Sequence, residues 1–272
     1  MKQILLNKMR PIPVLMYHHV NPHKGDMFTV TPEVFEGQMA YLAKAGYKAL
    51  SLDELSAFIK RDLDLRQKAV VITFDDGWLD NYIYAFPVLE RYKLRATMFI
   101  VSDWIEKSSE KSNGIPAYIP TDEESKDLVR KGEEHKVVLT WELIKNMADS
   151  GLIDFFSHTK DHLECNNLSE LHILEELRES KRILEERLGR PCPYLCWPYG
   201  MYSDMAVSMA RKTGYKALFT IERGAVKGGS DPFAIKRIIA KDNVSWFRKR
   251  MLIYTHPVLS ELHDLYLRVK GR

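Results

Sequence analysis

Short apolar runs alternate with stretches in which apolar residues recur every three or four positions, and this alternation organises the chain. Pro13-Val14-Leu15-Met16-Tyr17 is the first run and predicts a buried strand. Phe35, Met39, Leu42 and Ala43 then fall at helical spacing, and Gly46 is a fitting stop for that helix. Lys48-Ala49-Leu50-Ser51 is a weak extended run. Ala69-Val70-Val71-Ile72-Thr73-Phe74, β-branched and almost wholly apolar, predicts a strand buried on both faces. A helix is predicted from about Trp78 to Tyr92, followed by strands at Ala96-Thr97-Met98-Phe99-Ile100-Val101 and Leu152-Ile153-Asp154-Phe155-Phe156. A long amphipathic helix spans Ser169 to Leu188, with Leu174, Leu177, Leu184 and Leu188 near one stripe and Gly189 closing it. Tyr194-Leu195-Cys196-Trp197 and Lys216-Ala217-Leu218-Phe219-Thr220 are the last extended runs.

Strands alternating with helices predict parallel βα units, and seven or eight of them in 272 residues predict a closed or nearly closed α/β barrel around one core. The polar stretch from Glu106 to Lys136 breaks the rhythm. Asp122 to Glu134 carries mixed charge and reads as a solvated helix on a surface insertion, with a lid over the barrel mouth as the alternative.

Composition narrows the classes. Forty Lys and Arg against 37 Asp and Glu leave a formal charge of +3, too little to give the electrostatic footprint of a nucleic-acid binder. Three cysteines, Cys165, Cys192 and Cys196, are too few for a disulfide scaffold, and an odd count suits a reducing compartment. No apolar run approaches the roughly 18–20 residues that a spanning helix needs. Met1-Lys2-Gln3-Ile4-Leu5-Leu6-Asn7-Lys8 has a basic start, but its apolar run is shorter than the roughly 7–15 residues of a signal peptide. A cytoplasmic location is therefore expected. The basic stretch Phe247 to Tyr254 predicts a solvated helix with an apolar docking face, and peripheral contact with an anionic membrane is the alternative.

Candidate chemistry gathers after the strands, where parallel barrels place reactive groups. Asp75-Asp76-Gly77 follows the strongest strand. Two adjacent carboxylates at a buried strand end repel each other, and a cation resolves the conflict by taking one and leaving the other as a base. An Asp-Gly turn would carry no chemistry at all. A second cluster, Ser157-His158-Thr159-Lys160-Asp161-His162, follows another strand. His158 and His162 lie four apart, so on a helical turn both imidazoles would share a face. Two His and one carboxylate, with a position left open, describe a hydrolytic metal site.

Thr73-Phe74-Asp75-Asp76-Gly77 and Ser157-His158-Thr159-Lys160-Asp161-His162 resemble the first two motifs of the polysaccharide deacetylases, the NodB-homology carbohydrate esterases of family 4. Leu15-Met16-Tyr17-His18-His19, Phe35 through Gly46 and Trp197-Pro198-Tyr199-Gly200 match in order, so the resemblance covers about residues 12 to 240. It implies one deacetylase domain over residues 1–272, a distorted (β/α)7 barrel with a helical extension from about 243 to 272. It also implies a hydrolase that removes N-acetyl groups from a carbohydrate with one divalent metal, most often zinc, with nickel, cobalt or iron(II) also compatible. Asp76, His158 and His162 would be the ligands and Asp75 the base. Thr159 would orient the loop, the Tyr199 backbone N–H would hold the oxyanion, and Trp197 or Tyr199 would touch substrate.

The third motif usually begins with an arginine that tethers the base, and Cys196 stands there instead; Arg237 is the candidate replacement. The general acid is usually a histidine on a late strand. The motif order is closest to the branch that includes poly-β-1,6-N-acetylglucosamine deacetylases, in which this histidine ends an N-terminal strand, so His18 is preferred to His256. His19 is expected to pack or cap. Trp78, Trp104 and Trp141 read as core. The expected activity is N-deacetylation of an amino-sugar glycan or its precursor. The alternatives are deacetylation or deformylation of a lipid-linked or nucleotide-linked amino sugar, and an inactive carbohydrate-binding relative.

Overall fold

A computed structural model describes residues 9–269; the reading of residues 1–8 as lacking a signal sequence falls outside them. Seven parallel strands close into a barrel: β1 (Ile12–Tyr17), β2 (Ala69–Phe74), β3 (Ala96–Ile100), β4 (Ile153–Ser157), β5 (Tyr194–Cys196), β6 (Ala217–Arg223) and β7 (Ile235–Ile239). β1 seals the ring. It pairs with β2 from Val14↔Val71 to Tyr17↔Phe74 on one side and with β7 at Leu15↔Ile238 on the other.

The expected number of strands holds, but one member differs. Lys48–Ala49 pairs only with the first residues of β2 and lies outside the ring, whereas Ile235–Ile239 is a full barrel strand. The reason is local: Lys236 and Arg237 interrupt the apolar run of β7, and Arg237 is nevertheless fully buried. The β6–β7 register shifts between Ile235↔Phe219 and Arg237↔Arg223, a bulge beside the site.

Ten α-helices among the described residues follow in chain order: α1 (Pro32–Lys44), α2 (Leu52–Lys60), α3 (Phe86–Tyr92), α4 (Ser102–Lys111), α5 (Asp122–Arg130), α6 (Trp141–Asp149), α7 (Glu170–Leu188), α8 (Asp204–Lys212), α9 (Val244–Thr255) and α10 (Pro257–Val269). α1 buries Phe35, Gln38, Met39 and Leu42, each apolar side chain contributing about 1.5–3 kcal/mol by leaving water. α7 starts on the Ser169 cap and ends at left-handed Gly189, and it buries Ile173, Glu176, Leu177, Ser180 and Leu184.

The helix expected from Trp78 begins later. Asn81–Ala85 is a wide π turn that becomes α3 at Phe86, because Pro87 has no N–H for the regular ladder and crowds the turn before it. Trp78 instead bridges to Val138. The insertion is not a bland surface feature. α5, opened by a Thr121/Glu124 capping box, buries Asp122 against His19 and places Lys126 in a cavity wall at the barrel mouth. α9 buries Phe247, Met251 and Tyr254, the apolar docking face expected of that basic stretch. No helix among the described residues is long and apolar enough to cross a membrane.

Candidate active site

The backbone at the C-terminal ends of the strands is bent into unusual shapes. Asp76, Thr159, His162 and Tyr199 all have positive φ, at 75°, 66°, 61° and 55°. The other described non-glycine residues of this kind, Arg61 and Lys93, merely cap helices. Such conformations cost on the order of 1–3 kcal/mol each and persist where the surroundings enforce them.

Here the enforcement is visible. The Asp75 N–H donates to Tyr17 O (3.0 Å), fixing the end of β2 against β1, and the His158 N–H donates to Ile100 O (2.9 Å). The segment from His158 to His162 is a loop, not the helical turn that the spacing suggested, because Thr159 and His162 occupy left-handed conformations. Thr159 Oγ1 accepts the His162 N–H at 3.2 Å. Glu176 on α7 accepts the N–H groups of Lys160 and Asp161 at 3.1 and 2.9 Å. Burial pushes the Glu176 carboxyl up to about 7. Its position in the middle of an amphipathic helix concealed this supporting role.

The loop brings both imidazoles to one oxygen. His158 Nε2 and His162 Nε2 each lie 3.2 Å from Asp76 Oδ1. His158 Nδ1 donates to Cys196 O (2.8 Å), so in the neutral ring Nε2 presents a lone pair to an anionic oxygen. Only a proton or a cation between them relieves that opposition. The three donor atoms lie within 4.8 Å of one another, and their outward sides are already engaged. Trp78 Nε1 donates to Asp76 Oδ2 (2.9 Å), and His162 Nδ1 sits 3.1 Å from the Tyr199 hydroxyl. This donor set fits one divalent ion. Asp75, His158 and Cys196 also converge, but burial raises the Cys196 thiol and keeps it protonated, and Arg237 already engages Asp75.

The profile of the polysaccharide deacetylase family matches residues 62–218, more than half of the chain. The chain belongs to the polysaccharide deacetylase family. It is 32% identical over 242 residues to YxkH of Bacillus subtilis, a protein assigned to the polysaccharide deacetylases, covering 89% of this chain and 76% of the relative. It is 28% identical over 226 residues to a poly-β-1,6-N-acetyl-D-glucosamine N-deacetylase of Staphylococcus aureus, covering 79% and 69%. In fold it is similar to the Streptococcus pyogenes deacetylase PplD, solved in complex with acetate. The TM-score is 0.75 at 24% identity, covering 91% of this chain and 99% of that one.

Within this deacetylase family, the departure in the third motif has a structural counterpart. Arg237 reaches Asp75 from β7 with two parallel hydrogen bonds, Nη1 to Oδ1 and Nη2 to Oδ2, both 2.7 Å. Its Nε donates to Thr220 O (2.8 Å), and its Nη1 also reaches Thr73 Oγ1 (3.2 Å). Cys196 Sγ lies 3.0 Å from Arg237 Nη2, so the small thiol leaves room for a guanidinium arriving from another strand. Burial alone would raise the Asp75 carboxyl, but Arg237 outweighs it and holds the group below the usual carboxylate range.

His18, directly after β1, brings Nε2 to 3.9 Å from Asp75 Oδ2 and lies against the Phe28 ring at 4.9 Å. Burial lowers its imidazole. His256 is exposed at the α9–α10 junction and is absent from the cavity lining, so the structure does not bring the alternative acid to the site. The cavity holds about 330 Å³. Its walls add Met27, Phe28, Lys126, Ile221 and Arg223 to the anticipated residues. Trp197 lines it without exposed surface, stacked on Tyr202 at 5.5 Å, whereas the Tyr199 side chain is exposed.

His19 proves more than packing. It sits with Nδ1 2.7 Å from Asp80 Oδ2 and Nε2 3.3 Å from Asp122 Oδ1. Burial alone would lower its pKa, but the two carboxylates push it up to about 9. The adjacent His18-His19 pair marked the strand end in the sequence, but nothing there indicated which carboxylates would meet it.

Proposed function

We propose that the protein is a metal-dependent hydrolase that removes N-acetyl groups from an amino-sugar glycan or its precursor. The observation that carries this reading is the convergence of Asp76, His158 and His162, with Asp75 left free of them and oriented by Arg237. These three residues would hold the ion, zinc being the first choice, with nickel, cobalt or iron(II) also compatible with two imidazoles and a carboxylate. A divalent ion bound there acidifies water and polarises the amide carbonyl. Asp75, with a lone pair left on each oxygen, accepts the proton of the attacking water. The Tyr199 backbone N–H would hold the negative charge that develops on the carbonyl oxygen. His18 gives a proton to the amide nitrogen as the C–N bond breaks, so acetate and a free amine leave.

The acid role has its own test. Burial draws the His18 pKa down, and activity is expected to fall on the alkaline side as that proton is lost. His18→Ala is expected to lower the single-turnover rate about 10²-fold or more and to abolish that limb. An unchanged rate would remove His18 from the mechanism.

An acetate-release screen over free, oligomeric, lipid-linked and nucleotide-linked N-acetyl amino sugars tests the function, with Asp75→Asn as the inactive control. A second reading, a substrate attached through phosphate to a lipid or nucleotide, is favoured by Arg223. This arginine lines the cavity and is exposed. Binding of acetylated sugars without release from any of them would favour an inactive carbohydrate-binding relative.

A further inference from the structure

We propose that Trp78 is the positioning residue of the Asp76 carboxylate, and that the Asp80–His19–Asp122 network clamps it in place. The inference rests on the metal-site reading and extends it to residues outside the three ligands. Trp78 follows Gly77 at the end of the same turn and is fully buried. Its Nε1–H donates to Asp76 Oδ2 (2.9 Å), which leaves Oδ1 as the oxygen facing both imidazoles at 3.2 Å. A carboxylate has two equivalent oxygens, and this single donor removes the equivalence and fixes the tilt of the group.

The indole is itself held on its face. The His19 ring stacks on it at 4.6 Å and 22°. His19 Nδ1 is hydrogen-bonded to Asp80 Oδ2 at 2.7 Å, and on the other side Nε2 lies 3.3 Å from Asp122 Oδ1, a charge contact without hydrogen-bond geometry. Asn21 Nδ2 supports the Asp80 oxygen at 2.9 Å. Trp104 lies 5.6 Å from the Trp78 ring and 5.0 Å from the His162 ring, continuing the aromatic layer to another ligand. Asp122 belongs to α5, so the insertion is tied to the ligand Asp76 through His19 and Trp78. An aromatic residue without an N–H could fill the space but not orient the carboxylate.

The test uses the full chain, stripped with a chelator and titrated with Co²⁺ against a chromophoric competitor. Trp78→Phe is expected to weaken Co²⁺ binding about 10–100-fold and to alter the visible Co²⁺ absorption, the effect typical of losing an outer hydrogen bond to a ligand. Wild-type affinity and spectrum in folded Trp78→Phe would overturn the proposal. Asp122→Asn leaves the barrel interior intact and serves as the second variant; about threefold or greater weakening is expected, and unchanged affinity would overturn the clamp. A wild-type protein that takes up no cobalt would overturn the metal site itself, an outcome distinct from the loss of a difference between wild type and variants.

Discussion

Asparagine in place of Asp75 is expected to reduce acetate release roughly a thousand-fold while leaving metal uptake intact. The substitution keeps the shape of the side chain and removes its basicity. Asp75 takes no part in the Asp76–His158–His162 group, whose donor atoms meet one another without it. Some stability is also expected to be lost, because the Arg237 guanidinium is fully buried and would keep an amide oxygen but no counter-charge. Parallel measurements of metal content, melting temperature and turnover separate these effects. A variant that binds no metal, or one that turns over at the wild-type rate, would show that the two carboxylates have been assigned the wrong roles.

Arg237→Met is expected to lower both stability and rate. It leaves the buried Asp75 carboxylate uncompensated and removes donors from Thr220 O and Thr73 Oγ1. Breaking a buried pair in this way costs about 3–5 kcal/mol. The pH dependence has a definite sign. In the wild type Arg237 holds Asp75 below its ordinary value, so the pair stabilises the fold above the unfolded carboxylate pKa, and this contribution is lost as acid drives the pH down through the depressed value. Without the guanidinium, burial alone raises the carboxyl. The base then protonates at higher pH, and the acid limb of the rate profile moves in the alkaline direction. Arg237→Lys restores the charge but not the two-pronged contact, so an intermediate shift is expected. An acid limb unmoved in both variants would sever Arg237 from the base.

The barrel was legible because its strands are buried on both faces and read as nearly continuous apolar runs, Ala69–Phe74 most clearly. β7 escaped notice for the converse reason: the residue that breaks its run, Arg237, is the one the site needs inside. The ligand residues were legible from type and position after strands, but their geometry was not. Four-residue spacing suggested a helix, whereas left-handed Thr159 and His162 make a loop that Glu176 braces from α7. Contacts that depend on side-chain direction across the fold, such as Trp78 on Asp76 or His19 between Asp80 and Asp122, leave no periodic trace in a sequence. They become visible only when the ends of several strands are brought together.

Titrating a divalent ion into chelator-stripped protein, with acetate release followed at each addition, tests the central claim most directly. The site described here predicts activity that rises in proportion to added metal and stops at one ion per chain, with His158→Ala remaining inactive throughout. Full activity in the stripped protein, or a break at two ions per chain, would contradict it.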